Sequence, residues 1–211
     1  AQRVSCRPLW VQGFHTWMLG LASQWMNLSG LHANSVAPIL VSREQGRRKS
    51  TFCRSLMPDV LMRYYTDNLK LTSQGQAERL LAEMGLLNMD EFDKYAETKM
   101  PLLKNLMQMS TLNIRKAYQQ SFRQLPRVAS FIGTSNRFDL LTDPTGSRRF
   151  LCVEVKHNID CTHIEHDQIF AQLKAELSAG RRNWFTKKEE EELQRHNEKF
   201  YRISLVEEVL V

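Results

Sequence analysis

The 211-residue sequence lacks any apolar run approaching the roughly 18 residues of a membrane-crossing helix, which excludes a helical membrane protein. It also lacks an initiator methionine and the uninterrupted apolar stretch of a secretory leader. Ala1-Gln-Arg-Val-Ser-Cys-Arg-Pro8 is polar and basic, and a fragment of a longer polypeptide is expected. Cysteine is scarce: Cys6, Cys53, Cys152 and Cys161 form no CxxC pair and no dense framework, so a reduced, cytoplasmic protein is expected. No internal repeat or low-complexity linker is present, and no serine sits in a nucleophile-elbow context. Zinc is not expected either. Cys161-x-His163-x-x-His166 has no second well-spaced pair, and Cys152 falls in an apolar run that would bury it.

What is present is the balance of an ordinary globular chain, 42% hydrophobic and 25% charged, long enough for one domain or at most two. Lys and Arg number 29 against 23 Asp and Glu, a net +6 that permits a polyanionic partner without demanding one.

Hydrophobic spacing predicts the elements. Trp10, Phe14, Trp17, Met18, Leu21 and Trp25 mark one face of a core-packing helix over 9–27. Ala37-Pro-Ile-Leu-Val-Ser42 reads as a buried strand, with a helix starting near Lys49 and a short strand at Arg63-Tyr-Tyr-Thr66. Helices are predicted over 74–84, 101–109, 167–179 and 187–199, and strands at 86–90, 128–133 and 150–155. Asp143-Pro-Thr-Gly-Ser147 reads as a turn, and Met100, Met107 and Met109 as adaptable core. Strands alternating with helices imply an α/β fold with a mostly parallel central sheet flanked by helices. The expected layout is an N-terminal helical segment packed on the core (1–36), the core (37–160) and a C-terminal helical extension (161–211).

The segment Ser42-Arg-Glu-Gln-Gly-Arg-Arg-Lys-Ser-Thr51 joins a predicted strand to a predicted helix, the context of a phosphate-binding loop. Such a loop aims backbone N–H groups at phosphates, its lysine reaches the outer phosphates, and the next hydroxyl binds magnesium. Lys49, Ser50 and Thr51 take those places, with Gln45, Gly46, Arg47 and Arg48 in the loop. Arg43 and Arg48 stand where the usual pattern has glycines. Two strained non-glycine positions, at about 1–3 kcal/mol each, would weaken binding. The loop by itself leaves two readings open, a nucleotide site and a solvated basic turn.

Asp90 and Glu91 end an apolar strand, as a metal-holding carboxylate and a water-polarising one would. Phe131-Ile-Gly-Thr-Ser-Asn136 ends a strand in an amide able to hold water or donate to a phosphate. Arg148 and Arg149 follow the 143–147 turn, placed to neutralise transition-state charge or to form surface ion pairs. Arg115, Lys116 and Tyr118, followed by Arg123 and Arg127, combine cations with an aromatic, either for single-stranded nucleic acid or as a solvated basic loop.

The order Gln-Gly-x-x-Lys-Ser-Thr, Asn-Met-Asp-Glu-Phe-Asp, Phe-Ile-Gly-Thr-Ser-Asn and Asp-Pro-Thr-Gly-Ser-Arg-Arg-Phe resembles the virulence-associated protein E family, in particular its Bacteroides-type members. That family is a branch of the P-loop NTPases, similar to superfamily 3 (AAA+-type) helicases, found in phages, mobile elements and bacterial genomes. The resemblance spans about residues 37–155. It implies ATP binding and Mg2+-dependent hydrolysis, coupled to single-stranded DNA in a ring-shaped homo-oligomer. It places nucleotide binding on Gln45, Gly46, Lys49, Ser50 and Thr51, metal and water activation on Asp90 and Glu91, phosphate sensing on Asn136 and the arginine role on Arg148 or Arg149. In helicases of this kind a hairpin before the sensing strand carries the DNA-contacting residues, here Arg115, Lys116 and Tyr118. The alternative is a degenerate, non-hydrolysing module that binds nucleic acid or a protein partner.

Overall fold

Ala37-Pro-Ile-Leu-Val41 is apolar along its whole length and buried at every position, as befits a strand covered on both faces. The computed structural model describes the chain apart from residues 29–31, 72, 96, 116–121 and 203–211. Among the described residues the strands are β1 (Ala37–Val41), β2 (Tyr65–Thr66), β3 (Leu86–Met89), β4 (Thr111–Arg115), β5 (Phe122–Pro126), β6 (Ser130–Ser135) and β7 (Phe150–Glu154). Five of them form one sheet in the order β2-β3-β6-β1-β7, while β4 and β5 pair as a separate hairpin. Every pairing within the five-stranded sheet is parallel, so all its carboxyl ends lie along one edge. The winding reverses at β1, which lies between β6 and β7. A crevice beyond a strand at such a switch point is where doubly wound sheets hold ligands.

Helices cover both faces. Leu40, Leu86, Ile132, Leu151 and Val153 pack under α1 (Pro8–Trp25), α2 (Lys49–Ser55) and α5 (His166–Ser178) through Trp10, Phe14, Trp17, Phe52 and Leu173. On the other face Ile39, Val41, Leu87, Met89 and Phe131 meet α3 (Gln74–Glu83) and α4 (Met100–Gln108) through Ala77, Leu81, Leu103 and Leu106. The aromatic period over 9–27 is therefore a core seam, and Met107 is fully buried while Met100 and Met109 pack at its margin. No helix among the described residues is long and apolar enough to cross a membrane.

Three local expectations need correction. Of Arg63–Thr66 only Tyr65 and Thr66 are strand, because Asp59–Tyr64 winds into a 3-10 helix after Pro58. The turn at Asp143 opens a 3-10 helix, Pro144–Arg149. The last predicted helix stops at His196, where α6 (Lys187–His196) passes into a 3-10 turn, Asn197–Phe200, that buries Phe200.

The start of α6 illustrates local determinism. Thr186 accepts from the Glu189 N–H at 3.3 Å, and the Glu189 carboxylate accepts from the Thr186 N–H at 2.7 Å, a reciprocal cap. Both branches of the Arg182 guanidinium reach the same carboxylate, at 2.6 and 2.7 Å. Arg182 first, with the Thr186 bonds, holds the Glu189 pKa down at about 2. A depressed carboxylate stabilises above its unfolded pKa and loses that stabilisation as pH falls through the folded value. Glu189→Gln is expected to cost about 1 kcal/mol at neutral pH, the site being partly solvent-screened. In thermal melts that deficit should shrink as pH falls from 4.5 toward 2.

Candidate active site

Beyond β1 the chain turns through residues 42–48 and enters α2 at Lys49. The turn is tied to the sheet: the Ser42 N–H donates to the Ser135 carbonyl at 3.1 Å, and the Ser42 hydroxyl to the Glu44 carbonyl at 2.8 Å. Gly46 (φ 79°) and Arg48 (φ 60°) both take left-handed backbone. Arg48 thus keeps, as an arginine, the conformation for which glycine is favoured. Arg43, at the other expected glycine position, is not left-handed, and its guanidinium lies 5.4 Å from the Phe138 ring centroid. Only one of the two replacements therefore strains the backbone. Arg48→Gly is expected to stabilise the fold by about 1 kcal/mol, raising Tm by roughly 2–4 °C. Gln45, Ser50 and Thr51 are exposed around the turn, and Arg47 pairs with Glu44.

Lys49 is the unusual member. It is 7% exposed, and its Nζ donates to Asn136 Oδ1 at 2.9 Å and to the Ser42 carbonyl at 3.4 Å. Among the described residues no carboxylate lies in ion-pair contact with it. Burial pushes its pKa down, opposed by the fields of Asp90 and Asp93. An ammonium has three N–H donors, so two neutral acceptors leave a cation with capacity to spare.

One turn away, Asp90 Oδ1 accepts from the Ser50 hydroxyl at 2.8 Å and from the Thr134 hydroxyl at 2.6 Å. These bonds join α2, the end of β3 and β6 at one point. Glu91 follows in the left-handed region at φ 51°, and its N–H faces Thr134 Oγ1 at 3.3 Å. Its carboxylate accepts from Lys94 Nζ at 2.6 Å on the surface rather than joining Asp90 and Ser50.

Two contributors had no role in the sequence reading. Thr134 braces Asp90, and its alternation with Ile132 along β6 is the signal that places those two on one face. Asp93 accepts from the Ser135 hydroxyl at 2.8 Å and the Asn136 N–H at 3.3 Å, so it sets the Asn136 backbone that meets Lys49.

The remaining candidates lie elsewhere. β7 pairs with β1 from Ala37↔Phe150 to Val41↔Glu154, so Arg148 and Arg149 precede β7 at the amino edge of the sheet. About 13 Å of strand separates that edge from the end of β1. Arg148 Nε lies 3.7 Å from the Glu190 carboxylate, while Arg149 is half-buried with its Nε unpartnered and its pKa lowered by burial. On the hairpin, Arg115 stands opposite Phe122, whereas Lys116 and Tyr118 lie outside the described residues. Arg123 is exposed on β5, but Arg127 is fully buried and forms no part of a solvated basic surface. Cys152 is likewise buried, and no cluster of three or more His, Cys, Asp or Glu suited to a metal occurs among the described residues.

The apo structure of the NrS-1 C-terminal region superposes with a TM-score of 0.55 at 15% identity, covering 94% of this chain and 50% of that one. The A form of the same apo region gives 0.48 at 17% identity, covering 90% and 39%. At 15% identity the first likeness is one of fold, and this chain spans half the length of that structure. Among curated proteins none matches. The profile of the virulence-associated protein E-like domain matches residues 7–202, nearly the whole chain, and the chain belongs to that family.

Proposed function

We propose that the chain is a P-loop ATPase core of helicase type, binding Mg2+-ATP at the 42–51 turn and acting on single-stranded DNA. The observation that carries this reading is the buried Lys49, in ion-pair contact with no carboxylate among the described residues, beside the Ser50–Asp90 pair at the switch point of a parallel sheet. A desolvated ammonium facing neutral acceptors is matched by an anion, and a triphosphate is the anion whose metal would suit the adjacent hydroxyl and carboxylate. The Ser50 hydroxyl and the Asp90 carboxylate, 2.8 Å apart, are hard oxygen donors of the kind that would hold magnesium. Bound there, the ion would neutralise phosphate charge.

The chain's own groups supply the rest. Lys49 would exchange Asn136 for a phosphate oxygen, freeing the amide to orient water or sense the phosphate. Thr134 holds Asp90 in place. Glu91 would leave Lys94 to polarise the attacking water; an exposed ion pair of this kind is worth at most about 1 kcal/mol. Arg148 and Arg149, at the amino edge, would serve the site of a neighbouring copy in a ring rather than their own. The hairpin would meet the DNA through Arg115, Lys116 and Tyr118.

The test is ATP turnover, with and without single-stranded DNA, in the native chain, Lys49→Ala and Glu91→Gln. Glu91→Gln is expected to lower kcat about 10²-fold or more while leaving ATP binding in place. Equal turnover in all three proteins would refute the reading. The engaged Glu91–Lys94 pair favours a second reading, a module that binds nucleotide or nucleic acid without hydrolysis. Under it, Arg43→Gly with Arg48→Gly would create nucleotide binding that the native chain lacks.

A further inference from the structure

At the base of the hairpin lies a polar cluster that none of these roles uses. Arg127 joins β5 to the approach of β6; it is 1% exposed, and its guanidinium meets no carboxylate among the described residues. Nη1 donates to the Leu106 and Met107 carbonyls at 2.9 and 2.7 Å. These belong to the last turn of α4, where carbonyls lack helical partners and the dipole is negative. Nη2 donates to Gln24 Oε1 at 2.9 Å and to the Asn34 carbonyl at 2.7 Å.

The acceptors are themselves locked. The Gln24 amide donates to the Val128 and Ala129 carbonyls at 3.2 and 2.8 Å, and its Oε1 accepts from the Asn34 N–H at 2.8 Å. The Asn34 amide donates to Ser130 Oγ at 3.0 Å and to the Trp17 carbonyl at 3.1 Å. Gly20 on α1 makes room: a Cβ there would come within 2.7 Å of Asn34 Cγ. Gln24, Asn34 and Ser130 are all buried.

Burying a cation among neutral dipoles is unfavourable, and an apolar pair would close a hairpin base without that penalty. Apolar side chains cannot fix several elements at set angles, which a planar guanidinium with directional donors does. The Arg127 N–H also donates to the Ser110 carbonyl at 2.9 Å, closing the hairpin itself. From the cluster, β6 runs as unbroken strand from Ser130 to Ser135 and delivers Asn136 to the candidate active site.

We propose that Arg127 is a positioning residue that, with Gln24 and Asn34, locks the β4–β5 hairpin to α1, α4 and β6, so that hairpin engagement is transmitted to Asn136. The transmission rests on the ATPase reading above; the lock does not.

Gln24→Met and Arg127→Lys in the full chain test it, the first being the milder should the second not fold. Amide hydrogen exchange in β4, β5 and 128–130 is expected to quicken at least about tenfold, with β1 unchanged. Stimulation of ATP turnover by oligothymidine is expected to fall about tenfold, while basal kcat and KM for ATP stay within about twofold. Unchanged hairpin exchange would overturn the lock. Basal turnover falling in step with stimulated turnover, or intact stimulation, would overturn the transmission. A native chain that hydrolyses no ATP sinks the ATPase reading and the transmission with it, and the exchange result still decides the lock.

Discussion

Lys49→Ala is expected to lower ATP turnover by about 10²–10³-fold, the loss typical of removing one preorganised donor from developing charge. The size follows from burial. An exposed lysine near phosphates acts through water, but Lys49 is 7% exposed and its field is little screened. The same burial sets the sign of a second effect. Because desolvation holds the Lys49 pKa below its ordinary value, the charged form opposes folding at neutral pH. Lys49→Met, which fills the space without charge, is therefore expected to raise Tm while abolishing turnover. A stabilised, inactive variant is the outcome expected of a functional cation held against its own desolvation penalty. Equilibrium melts beside nucleotide-binding titrations measure both. A destabilised Lys49→Met with unchanged nucleotide affinity would mark Lys49 as merely structural.

The frame of the fold was legible because its signals are local. Ala37–Val41, Leu86–Met89 and Phe150–Glu154 are short, mostly apolar runs, and α1 carries an aromatic and aliphatic period from Trp10 to Trp25. The same signals put Lys49 and Ser50 at the start of a helix and Asp90 and Asn136 at strand ends, and in the fold Lys49 meets Asn136 while Ser50 meets Asp90. What escaped is what depends on distant pairings. Asp93 reads as one more acid of a motif until the left-handed turn at Glu91 carries it under Asn136. Arg148 and Arg149 sit beside a turn in sequence, but only the β1–β7 register reveals that they lie at the opposite edge. Arg127 resembles Arg123 in composition, four residues earlier on the same segment. The difference between a solvated and an enclosed guanidinium is made by Gln24 and Asn34, about a hundred residues upstream.

That enclosure makes Arg127→Met the largest expected loss of stability, about 3–5 kcal/mol. Methionine matches the length of the side chain and removes the desolvated charge, which offsets part of the loss. It also removes the guanidinium donor from the Leu106, Met107 and Asn34 carbonyls and from Gln24 Oε1, all buried acceptors. An unsatisfied buried acceptor costs about 1–3 kcal/mol, and Gln24 Oε1 keeps the Asn34 N–H at 2.8 Å, which holds the total below the sum. Burial pushes the Arg127 pKa down to about 9, still above neutral, so the guanidinium stays charged at neutral pH and keeps both Nη groups as full donors. For a chain of this length the loss corresponds to a fall of roughly 10 °C in Tm. Urea melts of Arg127→Met beside Gln24→Met measure it, and additivity separates the possibilities. Residues sharing one network lose less together than the sum of their single losses, so a double variant whose loss equals that sum would place Arg127 and Gln24 in separate, independent roles.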